Sequence, residues 1–375
     1  GSEMCIRDRH NVMKIVSLGI GLAVGLVLIA KVYFEQSYDD FYPDRDRVYQ
    51  VWAKYQQNGG ELKDYPQTSG GIAPTMQQQI PEIETVTRYT SFGDWTFTMT
   101  DTKMKYSGRC IIADSCFFDI LPRPMLIGNA KEVLSTPMYV LISSRIAKNI
   151  GGDVIGKNFT VDNSPGRTMT IGGVFEEVPE NSHSRYDVIV SMASAGRFMW
   201  EGSPTNMLGN DRYISYVKLH KGVNPLALEE QVRTFVNSYF PPEEQQKVGL
   251  SIDFSFHKLD NLHKELPQVK RMTWILSLLA FALIFTAVMN YILIVISSIV
   301  NRSKEVAVHK CYGASENNIH GMMFGEALVH IVLSLILALL LILAFRGTVE
   351  ELLATSLDSL LFSNGSLVLL GICIL

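Results

Sequence analysis

Nineteen residues, Asn301–Ile319 (NRSKEVAVHKCYGASENNI), lie between two long apolar runs and bound what this chain can fold into. Upstream, Met272–Val300 covers 29 residues without an Asp, Glu, Lys or Arg; downstream, Met322–Phe345 is almost wholly apolar. Each run is long enough to cross a hydrocarbon core of about 30 Å as a helix. The polypeptide therefore emerges only briefly between two spans, which points to a membrane component worked by a partner rather than to a soluble enzyme.

A first apolar block, Ile15–Ala30, is bracketed by Lys14 and Lys31. No small-x-small cleavage site follows it (the chain runs Ile-Ala-Lys-Val-Tyr-Phe), so it reads as an uncleaved anchor rather than a signal peptide. Ser17, Gly21 and Gly25 recur at four-residue spacing, placing small residues on one helix face where a neighbouring helix can come close. Residues 1–9 have no apolar periodicity and are set aside as a candidate non-native lead. The run Ser366–Leu375 is apolar but only ten residues long, and reads as the start of a fourth span.

Charge orients the chain. Arg302, Lys304 and Lys310 follow the second span and Lys14 precedes the first, whereas Arg346–Asn364 carries Glu350, Glu351 and Asp358 against Arg346 alone. The positive-inside rule puts the N-terminus and the 301–320 loop in the cytoplasm and the large middle segment outside. That segment, Lys31–Arg271, has 26 Lys/Arg against 29 Asp/Glu and no basic stripe, which excludes nucleic acid as a partner. The five cysteines are few and scattered, so they outline no disulfide framework. A bond between Cys110 and Cys116 stays open as an alternative to two separate thiols.

The middle segment reads as mixed α and β. Val48–Tyr55 is a strand candidate, Ile72–Ile80 a short helix and Ile83–Ser91 a strand. The order recurs with Tyr213–Leu219, Pro225–Tyr239 and Leu250–Phe256, which suggests a split ferredoxin-like layer over residues 45–92 and 211–258. Between them, residues 95–205 read as an inserted second lobe. Its elements are a hairpin (Trp95–Thr100 and Met104–Ala113), a helix (Ser143–Ile150) and strands near Phe159–Val161 and Thr168–Val174. The expected class is an α+β membrane protein. Its helical bundle has spans over 12–34, 272–300 and 321–345 and a truncated one over 366–375, with a two-lobed external domain over 35–271 and an external loop over 346–365.

Several stretches resemble MacB/FtsX-type ABC transporter permeases. Ser37-Tyr38-Asp39-Asp40-Phe41, with Asp46-Arg47-Val48-Tyr49, is similar to the start of that family's periplasmic core. Phe117–Leu121, Val140–Ala147, Ile155-Gly156-Lys157 and Ile171–Asn181 follow in the family's order. Asn290-Tyr291, the stretch Arg302–Ser315 and Glu326 resemble its second span, cytoplasmic loop and third-span head. His309-Lys310-Cys311-Tyr312 departs from the usual Arg-Lys-small-Leu run. The resemblance covers roughly residues 12–345 and implies the N-terminal part of an inner-membrane efflux permease of the mechanotransmission type. It also implies a separate ABC ATPase subunit that holds ATP and Mg, a second permease copy or second half of the chain, and a periplasmic adaptor or outer-membrane partner. No cofactor or catalytic residue is implied in this chain.

The loop itself suits such a role. Lys304–Tyr312 can form about two helical turns with Val306 and Lys310 on one face; Gly313 suits the position after a helix end and Ser315 a helix cap. A coupling helix would comprise Arg302, Lys304, Glu305, Val306, Lys310, Tyr312, Gly313, Ala314 and Ser315. The bland alternative is a solvated basic turn that only sets topology.

Gly151–Asn158 fits the GxxxxGK pattern of a phosphate loop, but Asn158 replaces the hydroxyl that would hold magnesium and a helix precedes it. The family resemblance makes it a structural turn. Within the spans, Glu326 and His330 stand four apart on one face and read as an interfacial polar patch or a contact with the loop, ahead of a proton relay. Asn290 reads as a hydrogen-bonding partner for a neighbouring helix. No metal-ligand spacing and no nucleophile–base pair is visible. Three function classes follow: the coupled permease, an FtsX-like non-transporting regulator of cell-wall hydrolases, and a membrane sensor with an external ligand domain. The sensor would need a long signalling helix after Val300, where this chain instead returns to the membrane.

Overall fold

The computed structural model describes the backbone of residues 2–162, 164–301 and 316–361, and the side chains of residues 12–162, 166–297 and 324–360. Contacts divide the chain into two compact units, Tyr38–His263 and the flanking Gly1–Ser37 with Lys264–Leu375. The elements begin with α1 (Ser2–Gln36), β1 (Val48–Gln57), β2 (Leu62–Tyr65), α2 (Ile72–Gln79), β3 (Ile83–Met99), β4 (Lys105–Ala113) and α3 (Phe117–Ile120). There follow β5 (Met125–Ile127), α4 (Ala130–Ser135), β6 (Tyr139–Ser143), α5 (Ser144–Ile150), β7 (Asn158–Val161), β8 (Ser164–Phe175), β9 (Val188–Ser191) and α6 (Ala195–Phe198). The last are β10 (Ile214–Leu219), α7 (Glu229–Tyr239), α8 (Pro242–Val248), β11 (Leu250–Lys258), α9 (Pro267–Asn301), α10 (Glu316–Ala344), α11 (Arg346–Leu353) and α12 (Leu357–Leu361).

In Tyr38–His263, the strands β11-β1-β10-β3 lie side by side and antiparallel, the order expected of two interlocked β-α-β units. Alternation along each strand sorts the faces. Val51 and Ala53 of β1, Val217 and Leu219 of β10 and Ile252 and Phe254 of β11 bury against Ile72 and Met76 of α2 and Val232, Phe235 and Val236 of α7. One residue out of register, Val48, Tyr89 and Tyr216 face the opposite core with Tyr42, Phe117 and Tyr186. A period of two thus makes both sides of the layer apolar.

The segments expected as two strands, Ile83–Ser91 and Trp95–Thr100, are one: β3 runs 17 residues and changes register between Ser91 and Gly93. A bulge lets the strand turn without ending, so its first half pairs with β10 and its second with β4 and β7. From there hydrogen bonding passes β3-β4-β9-β6-β8-β7 and returns to β3, closing a six-stranded ring. Alternate residues of every strand fill one core, including Phe97, Ile112, Ile142, Phe159, Ile171 and Val190. Local signals set the helices of this part: the Asn129 side chain accepts from the Lys131 and Glu132 amides to start α4, and Ser143 caps α5 through the Ile146 amide.

In the other unit, among the described residues, three helices, over Val12–Gln36, Pro267–Ser297 and Phe324–Ala344, are long and apolar enough to cross a membrane. The stretch expected as an external loop after the third is helical in α11 and α12, with Ala354 left-handed at φ 48° between them. The tie is ionic: Arg346 meets Glu350 and Asp358, both at 2.9 Å, and Glu350 accepts the Leu357 amide at 2.8 Å.

Arg88 of β3 sets the stability test. Its Nε reaches Asp114 at 3.1 Å, and its Nη1 donates to the carbonyls of Gly70 and Pro204. Burial holds the Asp114 carboxyl above the ordinary carboxylate range, with Arg88 pulling it back. A raised folded pKa favours folding below the unfolded value of about 3.9, and that benefit is lost as pH rises through the folded value. Arg88→Ala leaves the half-buried carboxylate without its counter-charge, with only the backbone amide of residue 88 still donating to it at 3.0 Å, and is expected to cost about 1–3 kcal/mol at pH 7. Part of that loss should return on acidification, as denaturant midpoints of the detergent-solubilised chain at pH 7 and pH 5 will show.

Candidate functional site

Within the membrane unit, α1 packs against both α9 and α10. A Cβ at Gly21 would stand 2.3 Å from the Ala287 Cβ, and one at Gly25 would stand 2.5 Å from the Ile284 Cγ1. Both lie far inside van der Waals contact, so glycine is what lets α9 come this close. Gly19, which the four-residue spacing misses, faces α10 instead: its Cβ would lie 3.0 Å from the Leu337 side chain and 3.2 Å from the Ser334 carbonyl. The Ser17 hydroxyl donates within its own helix, to the Lys14 carbonyl at 3.4 Å. Ser334 of α10 donates to the Ile15 carbonyl at 3.2 Å and to the His330 carbonyl at 2.8 Å, stitching α10 to α1.

Of the polar residues named in the spans, His330 is buried, Glu326 half-buried and Asn290 exposed. His330 meets Tyr291, whose ring lies 6.4 Å away at 74°. The Tyr291 hydroxyl is buried with no partner among the described residues. Tyr291, the neighbour of Asn290, is thus the α9 residue facing this patch. At the other end of α1, Lys31 pairs with Glu35 at 2.7 Å and donates to the Thr355 hydroxyl at 2.7 Å, with both charged side chains buried. In the sequence, Lys31 marks only the end of the first apolar block. An apolar cavity of about 480 Å³ lies between these helices, lined by Ile20, Val24, Leu28, Leu341 and Phe345 among others, and it offers no polar anchor.

The coupling-loop residues Arg302, Lys304, Glu305, Val306, Lys310, Tyr312, Gly313, Ala314 and Ser315 lie outside the described residues. In the outer domain, Cys110 and Cys116 are separate thiols, and burial pushes both above the usual thiol range. The GxxxxGK look-alike is a turn laid along β8, with the Gly156 amide donating to the Ile171 carbonyl and the Ile171 amide to that of Lys157. That pairing uses the backbone groups a phosphate cradle would need to aim inward. Among the described residues no three His, Cys, Asp or Glu side chains gather as metal ligands.

Comparison with known proteins finds two family models in succession along the chain. The MacB-like periplasmic core domain model matches residues 13–235, and the FtsX-like permease C-terminal model matches residues 277–375. The crystal structure of a domain of a permease protein from Porphyromonas gingivalis is 33% identical, covering 58% of this chain and 91% of its own, with a TM-score of 0.53. The periplasmic region of MacB from Actinobacillus actinomycetemcomitans is 14% identical, covering 58% of this chain and 91% of its own, with a TM-score of 0.38. The extracellular domain of the ABC-type transporter YknZ from Gram-positive bacteria is 11% identical over 55% and 98%, also with a TM-score of 0.38. No curated protein matches the chain.

The close approach of α1 and α9 makes a two-site prediction. Gly21→Ala forces the helices apart and should destabilise the bundle by about 1–3 kcal/mol, as overpacking does. Ala287→Gly opens the opposing position and should restore most of the loss. Thermal unfolding in detergent, followed for the two single variants and the double variant, measures the coupling.

Proposed function

The chain belongs to the MacB/FtsX-type permease family, and from that premise we propose that it is the membrane subunit of an ABC transporter of the mechanotransmission type. Such permeases normally work with a separate ABC ATPase. Closure of that partner moves the loop after the second span, the spans tilt as levers, and the outer domain changes shape to expel or hand on a substrate.

One observation carries this reading: the outer domain is inserted between the first two of three long apolar helices, and α1 is packed tightly on both of the others. A movement of α9 or α10 is therefore passed to α1 through contacts with no slack. Tight packing of this kind transmits displacement instead of absorbing it. Glu326, His330 and Tyr291 serve as a polar patch beside the coupling loop, and Asn290, exposed on α9, bonds a further helix. ATP and Mg stay with the partner, and the chain needs no cofactor of its own.

The assembly around it is a second permease copy, or a second half of a longer chain, in the inner membrane with the large domain in the periplasm. The run Ser366–Leu375, expected to begin a fourth span, lies outside the described residues. The interlocked β-α-β layer and the closed ring act as two lobes joined by β3. A periplasmic adaptor or outer-membrane partner would receive the exported substrate.

Co-purification tests the coupling. An ABC ATPase subunit should be retained by the wild-type chain and lost, by tenfold or more, from a variant carrying Val306→Asp and Tyr312→Asp. That loss corresponds to about 1.4 kcal/mol or more of binding free energy. Undiminished retention by a normally folded variant would overturn the loop's role.

A further inference from the structure

The outer domain is reached through two chain connections, at Tyr38 and at His263, and these two rings stack on each other 3.4 Å apart at 6°. Only Ser37 and Tyr38 separate the end of α1 from Asp39. Asp39 is fully buried and holds a left-handed backbone, φ 61°, an uncommon state for a residue with a Cβ. Strained positions persist only where their surroundings over-determine them.

Asp39 is so held. Its amide donates to the Asn181 carbonyl at 2.9 Å. Its Oδ1 accepts from the Ser182 hydroxyl at 3.0 Å and from the His183 amide at 3.2 Å, and its Oδ2 meets the His183 Nδ1 at 2.7 Å. A carboxylate only accepts, so Nδ1 carries a proton toward Oδ2, and Nε2 meets the Tyr216 hydroxyl. Burial keeps that phenol protonated. Ser184 extends the chain by donating to the Tyr89 hydroxyl at 2.7 Å.

The network therefore ties three parts of the domain at one point. Asp39 belongs to the segment that follows α1, His183 to the connection between β8 and β9 of the closed ring, and Tyr216 to the middle of the interlocked layer. The following residues are fastened too: Asp44 to Lys218 at 2.6 Å, Arg45 to Asp260 at 3.4 Å and Arg47 to Glu84. A linker meant only to connect would not carry buried, directional bonds of this kind.

We infer that Asp39 and His183 are positioning residues forming a clasp through which displacement of the first span enters the ring and the layer together. The clasp rests on the coupled-permease reading and adds its point of entry. It makes no contact with nucleotide or substrate.

Hydrogen exchange on the full chain in lipid nanodiscs, bound to its co-purifying ATPase, tests the clasp in two comparisons. Without nucleotide, Asp39→Ala and His183→Ala should each raise exchange about tenfold to a hundredfold in both 39–47 and 181–186, as loss of a charge-assisted buried bond predicts. The double variant should add little to either, and Asp39→Asn should fall between. Unchanged exchange at 181–186 in Asp39→Ala would overturn the clasp. With ATP, the wild-type outer domain should change its exchange pattern, and Asp39→Ala should lose that change while ATP hydrolysis continues. Retention of the full wild-type response in Asp39→Ala would also overturn it. A wild-type complex with no nucleotide response would overturn the coupled-permease reading and transmission with it, leaving the first comparison to judge the Asp39–His183 bond itself.

Discussion

Hydrocarbon offers a backbone no hydrogen-bond partner, and the membrane unit is built around that constraint. Segments at that depth must be helices, and the contacts between them gain little from hydrophobic burial because lipid tails are as apolar as leucine. What holds α1 between α9 and α10 is shape. Gly21 and Gly25 remove the side chains that would hold Ala287 and Ile284 away, and Gly19 does the same for Leu337. The few polar contacts then fix register, Ser334 to the Ile15 carbonyl and Lys31 with Glu35 to Thr355. Moving one helix without the others would break these polar contacts, which lipid cannot replace.

The outer domain answers a different solvent. Water competes for every exposed backbone group, so its strands either pair, close or are covered. The six-stranded ring has no free edge along its circuit. The edge strand β11 is blunted locally: its Ile252 amide donates to the Gln245 side chain at 3.0 Å and its Phe254 amide to the Asp253 side chain at 2.8 Å. Those two donors are no longer available to a strand from another molecule. The 17-residue β3 joins ring to layer, so the two share a continuous set of backbone bonds.

Carboxylates held by specific donors mark the junctions in both units. Arg88–Asp114 sits where β3 meets the loops before α2 and β10, Asp39–His183 where the segment after α1 meets ring and layer, and Lys31–Glu35 at the C-terminal end of α1. A buried pair adds little net stability over apolar packing, because desolvation offsets the attraction. What it adds is direction, since only one arrangement satisfies both partners.

The three long apolar helices among the described residues, the paired β-α-β order and the small positions Gly21 and Gly25 are legible in the sequence because they depend on periodicity and length, which are local. The inserted ring is not, since Phe97, Ile112, Phe159 and Ile171 alternate as any half-buried strands would and carry no mark of their partners. Nor is the bulge at Gly93, which turned two expected strands into one, or the helical form of the segment after the third span. The roles of Tyr291 and Gly19 are not legible either, because helix rotation alone decides which residue faces a neighbour. Asp39 and His183 stand 144 positions apart, and no spacing rule relates them. Sequence by itself determined that the chain crosses a membrane, where its wide domain is inserted and which faces are apolar, because transfer free energy is summed residue by residue. Only the tertiary structure decided which strands close the ring and which charges meet at the end of α1, because those depend on distances between residues that the chain brings together only when folded.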